Sequence, residues 1–118
     1  MGTFNITIEI GNLNGEHFED VDVMVDTGAI STIVPRDILE GLGIQPTKGE
    51  TFEYAGGEQV QLDMTEARAR VDGRETITWV IFGEEGASTL LGAYTLEGVF
   101  LGVGPYNQRL IPVTGSLK

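Results

Sequence analysis

The sequence predicts a mostly β protein, a closed antiparallel β-barrel with two short helices. Three observations predict it. Short apolar runs with a two-residue period recur along the chain, glycine-rich turns separate them, and no alternation of strand and long helix appears that would build a parallel sheet. At 118 residues the chain is expected to form one domain, 1–118, with a core of its own.

In the first element, Phe4, Ile6, Ile8 and Ile10 alternate with polar neighbours, and Gly11-Asn12-Leu13-Asn14-Gly15 supplies turn chemistry. A second strand follows, with Val21, Val23 and Val25 alternating against Asp22 and Met24, so the two read as a hairpin. Asp26-Thr27-Gly28 interrupts that strand before Ile30, Ile33 and Val34 resume the apolar run. A carboxylate is thereby set between apolar segments, where ionisation is costly unless something compensates. Thr27 offers a hydroxyl to nearby backbone, and Gly28 allows a sharp turn or a close approach.

Pro35 suits the first turn of a short helix with Ile38, Leu39 and Leu42 on one face, stopped by Gly41 and Gly43. Residues 51–62 read as two strands around Gly56-Gly57, a pair able to adopt the positive φ of a tight turn. Ala67, Ala69 and Val71 then alternate with Arg68 and Arg70 before a turn at Asp72-Gly73. In the returning strand, 76–82, Ile77, Trp79 and Ile81 lie on one side and Thr78 and Val80 on the other, the pattern of a central, covered strand. A loop at 83–86, a strand at 88–91 and a short helix at 93–99 with Tyr94 and Leu96 available for packing come next. Glycines 98, 102 and 104 and the segment Pro105-Tyr106-Asn107-Gln108 divide the tail into short strands, the last being an edge because of Pro112.

The segment Asp26-Thr27-Gly28-Ala29, led by an apolar strand and followed by Thr32-Ile33-Val34-Pro35, together with the downstream Leu90-Leu91-Gly92, resembles the active-site elements of retroviral-type aspartic peptidases. The resemblance covers most of the chain and is better still to prokaryotic single-domain retropepsin-like proteins, in which Leu-Leu-Gly with a following Thr-Leu-Glu and a C-terminal Arg-Leu-Ile-Pro recur much as here. It implies the barrel of the retropepsin type. It also implies an aspartic endopeptidase, a hydrolase of peptide bonds, with Asp26 catalytic and Thr27, Gly28 and Ala29 supporting it. The plainer reading of Asp26 is a turn residue capping its own backbone.

Such chemistry uses two carboxylates sharing one proton, and the chain carries a single Asp-Thr-Gly. The resemblance therefore implies a homodimer with Asp26 from each copy at the two-fold axis, and Thr27 reaching across to the partner loop. The partner substrate is a peptide or protein, and no cofactor is implied. The hairpin with Tyr54, Ala55, Gly56 and Gly57 stands where the family has a mobile flap, though an ordinary surface hairpin has the same pattern. Ile30, Ile33, Val80 and Ile81 are the expected pocket walls. Ala29 replaces a serine that hydrogen-bonds the carboxylate in pepsin-like members, which implies a less acidic optimum. Where viral members carry two acids and an arginine, this chain has Ile30, Ser31 and Ala93, so no charge is left stranded. The rival reading is a catalytically silent dimeric peptide-binding module on the same fold.

Composition narrows the other classes. Seven basic against eighteen acidic residues give a net charge of -11, a field that repels nucleic acid and anionic membrane. No cysteine is present, so disulfides and thiolate metal sites are excluded. The acids Glu16, Glu19, Asp20, Asp22 and Asp26 lie on an alternating strand and not a wrapping loop, which argues against a metal site. The segment from Met1 to Ile6 lacks a signal-peptide pattern, nothing approaches a membrane span, and a cytoplasmic location is expected.

Overall fold

The computed structural model describes residues 3–106 and 108–117; Met1 and Gly2 of the leader reading and Asn107 of the expected tail turn lie outside them. Strands β1 (Phe4–Gly11) and β2 (Phe18–Val25) form the expected hairpin, with Phe4 opposite Val25 and Gly11 opposite Phe18. Gly11 is required by packing: a Cβ there would stand 2.6 Å from the Phe18 ring. Ile8, Ile10, Val21, Val23 and Val25 all point into the core, as their two-residue period dictates.

After the Asp26 loop come β3 (Thr32–Pro35) and helix α1 (Arg36–Gly41), with Pro35 just outside the helix as its N-cap. The end of α1 is a Schellman motif. Gly43 takes φ +75°, its amide donates to the Glu40 carbonyl (2.9 Å), and the Ile44 amide donates to the Leu39 carbonyl (3.0 Å). Leu39 and Ile44, the apolar pair of that motif, are both buried.

Strand β4 (Lys48–Glu53) turns into β5 (Gln59–Val71), which pairs on with β6 (Arg74–Gly83). The sequence divides 59–71 into two pieces, yet it is one continuous strand whose outer half pairs with β4 and whose inner half also borders β1. Asp72 and Gly73, with φ of 52° and 81°, make the two-residue turn whose twist suits a hairpin. Thr78, Val80 and Phe82 face the core, whereas Ile77 and Trp79 stay partly in solvent, so β6 is covered on both sides only near its C-terminal end.

The chain closes with β7 (Leu90–Leu91), α2 (Ala93–Gly98), β8 (Leu101–Val103) and β9 (Leu110–Pro112). Strand β7 is shorter than expected. In α2 it is Thr95 and Leu96 that are buried, while Tyr94 lies half in solvent and does not pack as the sequence reading has it. Strands β8 and β9 pair only with each other.

The large sheet runs β1-β2-β7-β3-β6-β5-β4, and β1 also pairs with β5, so all strands of the sheet but β4 lie in one ring. The pairing is not antiparallel throughout. Strand β7 lies between β2 and β3, which run in opposite directions, and any strand inserted there is parallel to one of them. It is parallel to β2, and β3 is in turn parallel to β6. Core side chains from β1, β2, β3, β5, β6, α1 and α2 meet inside this ring.

Candidate active site

Asp26 sits where β2 ends, and its amide donates to the Leu91 carbonyl (3.1 Å), which ties the acid to β7. The loop then doubles back: the Ala29 amide donates to the Asp26 carbonyl (3.1 Å), and the Gly28 amide donates to Asp26 Oδ1 (2.9 Å). A Cβ on Gly28 would stand 3.2 Å from that oxygen, so glycine leaves room for the carboxylate to be held from behind. The side chain is half-buried, and Thr27 and Gly28 lie exposed beside it.

The loop is braced by α2. The Ala93 amide donates to the Ala29 carbonyl (2.8 Å) and the Tyr94 amide to the Ile30 carbonyl (3.0 Å). This approach demands glycine at 92, because a Cβ there would lie 2.5 Å from the Ser31 carbonyl oxygen. The Gly92 amide donates to Thr32 Oγ1 (3.0 Å), Thr32 Oγ1 is 2.6 Å from Thr95 Oγ1, and Thr95 Oγ1 is 2.8 Å from Thr78 Oγ1. All three threonines are buried, so each hydroxyl needs the others. Sequence reasoning missed this network. The signal available was Thr78 on the inward face of an otherwise apolar strand, with no way to see Thr32 and Thr95 as its partners.

A cleft of about 460 Å³ opens between this loop and the β4–β5 hairpin. Ile30, Ile33, Ile81 and Leu90 line it, together with Phe52, Tyr54 and Val60 of the hairpin. Among the expected pocket walls, Val80 lies elsewhere: it is 0% exposed in the core, because alternate side chains of β6 point to opposite faces. Of the hairpin-tip residues, Tyr54 reaches the cleft, whereas Ala55, Gly56 and Gly57 are exposed at the turn. Gly57 has φ +91° and Gly56 does not share the positive value, and the turn is closed by the Gly57 amide on the Tyr54 carbonyl and the Tyr54 amide on the Glu58 carbonyl (both 2.8 Å).

Arg36 links the surroundings of this cleft. Its Nη2 donates to Glu84 Oε2 (2.9 Å), in the loop after β6, and to Asp63 Oδ2 (2.8 Å), on the hairpin strand β5. The hydrogen bonds that the guanidinium donates to Glu84 and then to Asp63 push it above its ordinary value, so its charge is constant at every working pH. On the other side of the Asp26 loop a cleft of about 520 Å³ is lined by Thr27, Phe4, Val103 and Tyr106.

A half-buried acid thus sits on a braced turn, and the residues that follow it, Gly28 to Ser31, line an apolar cleft under a hairpin. The family model described as aspartyl protease matches residues 7–95, and the chain belongs to that family. No curated protein sequence matches. Among solved structures, the chain is similar to the equine virus "EIAV protease complexed with the inhibitor HBY-793", at 21% identity and a TM-score of 0.58 over 81% of this chain and 86% of that one. The simian foamy virus (mac) protease has a TM-score of 0.53 at 21% identity, covering 78% of this chain and 92% of the viral one. A retropepsin-like aspartic protease from Rickettsia conorii has a TM-score of 0.50 at 23% identity, covering 82% and 88%. These similarities establish a retropepsin-like fold, mostly β with two helices. No helix among the described residues is long and apolar enough to cross a membrane.

Proposed function

We propose that the chain is an aspartic endopeptidase that works as a homodimer, with Asp26 of each copy forming a symmetric dyad. The observation that carries this is the placement of Asp26: one family-motif carboxylate per chain, held from behind by the Gly28 amide and half-open beside an exposed Thr27. Half of a two-acid site lies at the surface, and a two-fold axis beside the loop would supply the other half. Thr27, Gly28 and Ala29 act as loop support, and the cleft lined by Phe4, Thr27 and Tyr106 would extend the pairing surface. The ring of strands serves as the closed barrel of the retropepsin type, and 1–118 acts as one domain. The cysteine-free sequence supports a cytoplasmic setting.

Two carboxylates in contact repel when both are charged, so the pair holds one proton between them. The ionised copy takes a proton from a bound water as its oxygen attacks the scissile carbonyl carbon, and the protonated copy donates to the carbonyl oxygen. Collapse of the tetrahedral intermediate breaks the C–N bond with a proton passed to the leaving nitrogen, giving a carboxylic acid and an amine. The hairpin 54–57 is the flap that covers the bound peptide, with Ile30, Ile33 and Ile81 as pocket walls. Val80 supports this wall from the core side.

The test is a peptide library incubated with wild type and with Asp26→Asn, with dimerisation followed by sedimentation. Cleavage by wild type that falls by about 10³-fold or more in the variant, both remaining dimeric, supports the reading. Dimers of both proteins that bind peptides and cut none, from acid to neutral pH, favour the silent binding module.

A further inference from the structure

Arg36 stands at a junction that the catalytic reading does not use. It is the first residue of α1, and its guanidinium carbon lies over the Phe82 ring, 5.0 Å from the centroid, with Phe82 itself buried in the core. Seated in this way, only 28% of the side chain meets solvent. A single nitrogen, Nη2, then serves two carboxylates, Asp63 at 2.8 Å and Glu84 at 2.9 Å, while Nη1 lies 3.7 Å from Glu40 one helical turn on. An isolated surface pair contributes little, but one arginine that holds several acids over an aromatic ring forms a network.

The places of Asp63 and Glu84 in the chain give this junction its meaning. Strand β5 pairs only with β4 as far as Asp63, and its pairing with β6 begins at the next residue, where Met64 stands opposite Ile81. Asp63 is thus the last residue of the hairpin before the body of the sheet takes hold. Glu84 is the first residue after β6, and its carbonyl accepts the Ala87 amide (2.9 Å), which closes a turn in the segment 84–89. That segment leads to Leu90, and Leu90 and Leu62, the neighbour of Asp63, both line the cleft beside the Asp26 loop. The other charged residues around Arg36 in the open cleft between α1 and 84–89 are Asp37, Glu40 and Glu85, all acids. Without the guanidinium, Asp63 and Glu84 would face each other as like charges with more acid nearby.

We infer that Arg36 is a clasp that controls access to the Asp26 cleft by holding the root of the β4–β5 hairpin to the segment 84–89. Its role is one of positioning, through Asp63 and Glu84. That the clasp governs peptide capture rests on the peptidase reading of Asp26, whereas the tie itself does not. When it is broken, repulsion spreads the root and the hairpin swings wider, because β4 has no neighbour but β5 to hold it. The Asp26 loop, braced from α2, keeps its geometry. Loss of Arg36 therefore weakens capture of the peptide and leaves the chemical step alone.

The chain has no cysteine, so Ala55→Cys at the hairpin tip and Ala87→Cys in the segment 84–89, both exposed, give one specific pair of nitroxide labels. The labelled protein is diluted in unlabelled protein so that pulsed electron resonance reads the distance within one chain. Arg36→Met, which keeps an unbranched side chain over Phe82 and removes the charge, is expected to lengthen and broaden that distance, and Arg36→Lys to restore it. Salt at about 1 M should bring wild type and Arg36→Met together. In unlabelled protein, KM for peptides should rise about fivefold in Arg36→Met while kcat stays within about twofold. A distance unchanged by Arg36→Met overturns the clasp, and so does a longer distance with KM unchanged. A fall in kcat with KM unchanged also overturns it, since Arg36 would then act on the Asp26 loop. A longer distance in Arg36→Met, with no peptide cut by wild type, sinks the peptidase and keeps Arg36 as the tie that holds the hairpin.

Discussion

The Asp26 loop and the β4–β5 hairpin face each other across one cleft, yet they are built in opposite ways. The loop is tied at almost every step: amides of Asp26, Ala29, Ala93 and Tyr94 all find carbonyl partners, and three buried threonine hydroxyls close the rear. The hairpin has one ladder. Strand β4 is exposed along nearly its whole length, pairs only with β5, and ends in a turn held by two amides. The loop is suited to fix an acid in one geometry, and the hairpin is suited to open and close at little energetic cost, since few buried contacts would be lost.

The largest test of that contrast is Gly92→Ala. Its Cβ would collide with the Ser31 and Ile30 backbone, which cannot yield, so a loss of about 3 kcal/mol or more is expected in urea denaturation. Thr95→Val comes next. It keeps the shape but leaves the Thr32 and Thr78 hydroxyls without their shared partner, at about 2 kcal/mol, and peptidase activity should fall with it as the loop loosens. A Thr95→Val protein as stable as wild type would show that the network is dispensable.

On the hairpin side, Gly57→Ala meets empty space, so only the backbone cost of φ +91° remains, about 1 kcal/mol locally. Global stability should barely change while KM for peptides rises several-fold. A KM equal to wild type in steady-state assays would separate the hairpin from substrate binding.

The smallest effect lies far from both regions. Hydrogen bonds from Arg70 and then Arg68 hold the Glu75 carboxyl below its ordinary value. A lowered folded-state value means that the contribution is present above the unfolded-state value and is lost as pH falls through the folded one. Wild type should therefore hold a small advantage in urea midpoint over Glu75→Gln near neutrality, and the two should converge in acid. Because the pair is exposed, added salt should shrink the difference. Activity is expected to stay the same, which makes this variant the control for the other three.

The linear code was most legible where a local rule acts. Val21, Val23 and Val25 announce their buried face by period, Asp72-Gly73 and Gly43 announce their turns, and Asp26-Thr27-Gly28 with Leu90-Leu91-Gly92 announces the family. It was least legible where separate elements meet. The unity of β5 is invisible, because its glutamine-flanked start and its alternating alanine-arginine end answer to different neighbours, β4 on one and β1 on the other, with β6 along the second half. Assigning Val80 to the cleft follows hydrophobicity, whereas the parity of β6 sends Trp79 and Ile81 outward and Val80 inward.

What the residues determined alone was the family motif around Asp26, the alternating faces and the turn positions, since each depends on neighbours a few bonds away. Only the folded chain decided that β7 slips between β2 and β3, that three distant threonines share hydroxyls, and that Trp79 borders the loop of Asp26. Those contacts join segments far apart in sequence, and they become favourable only once the ring of strands has closed and excluded water from between them.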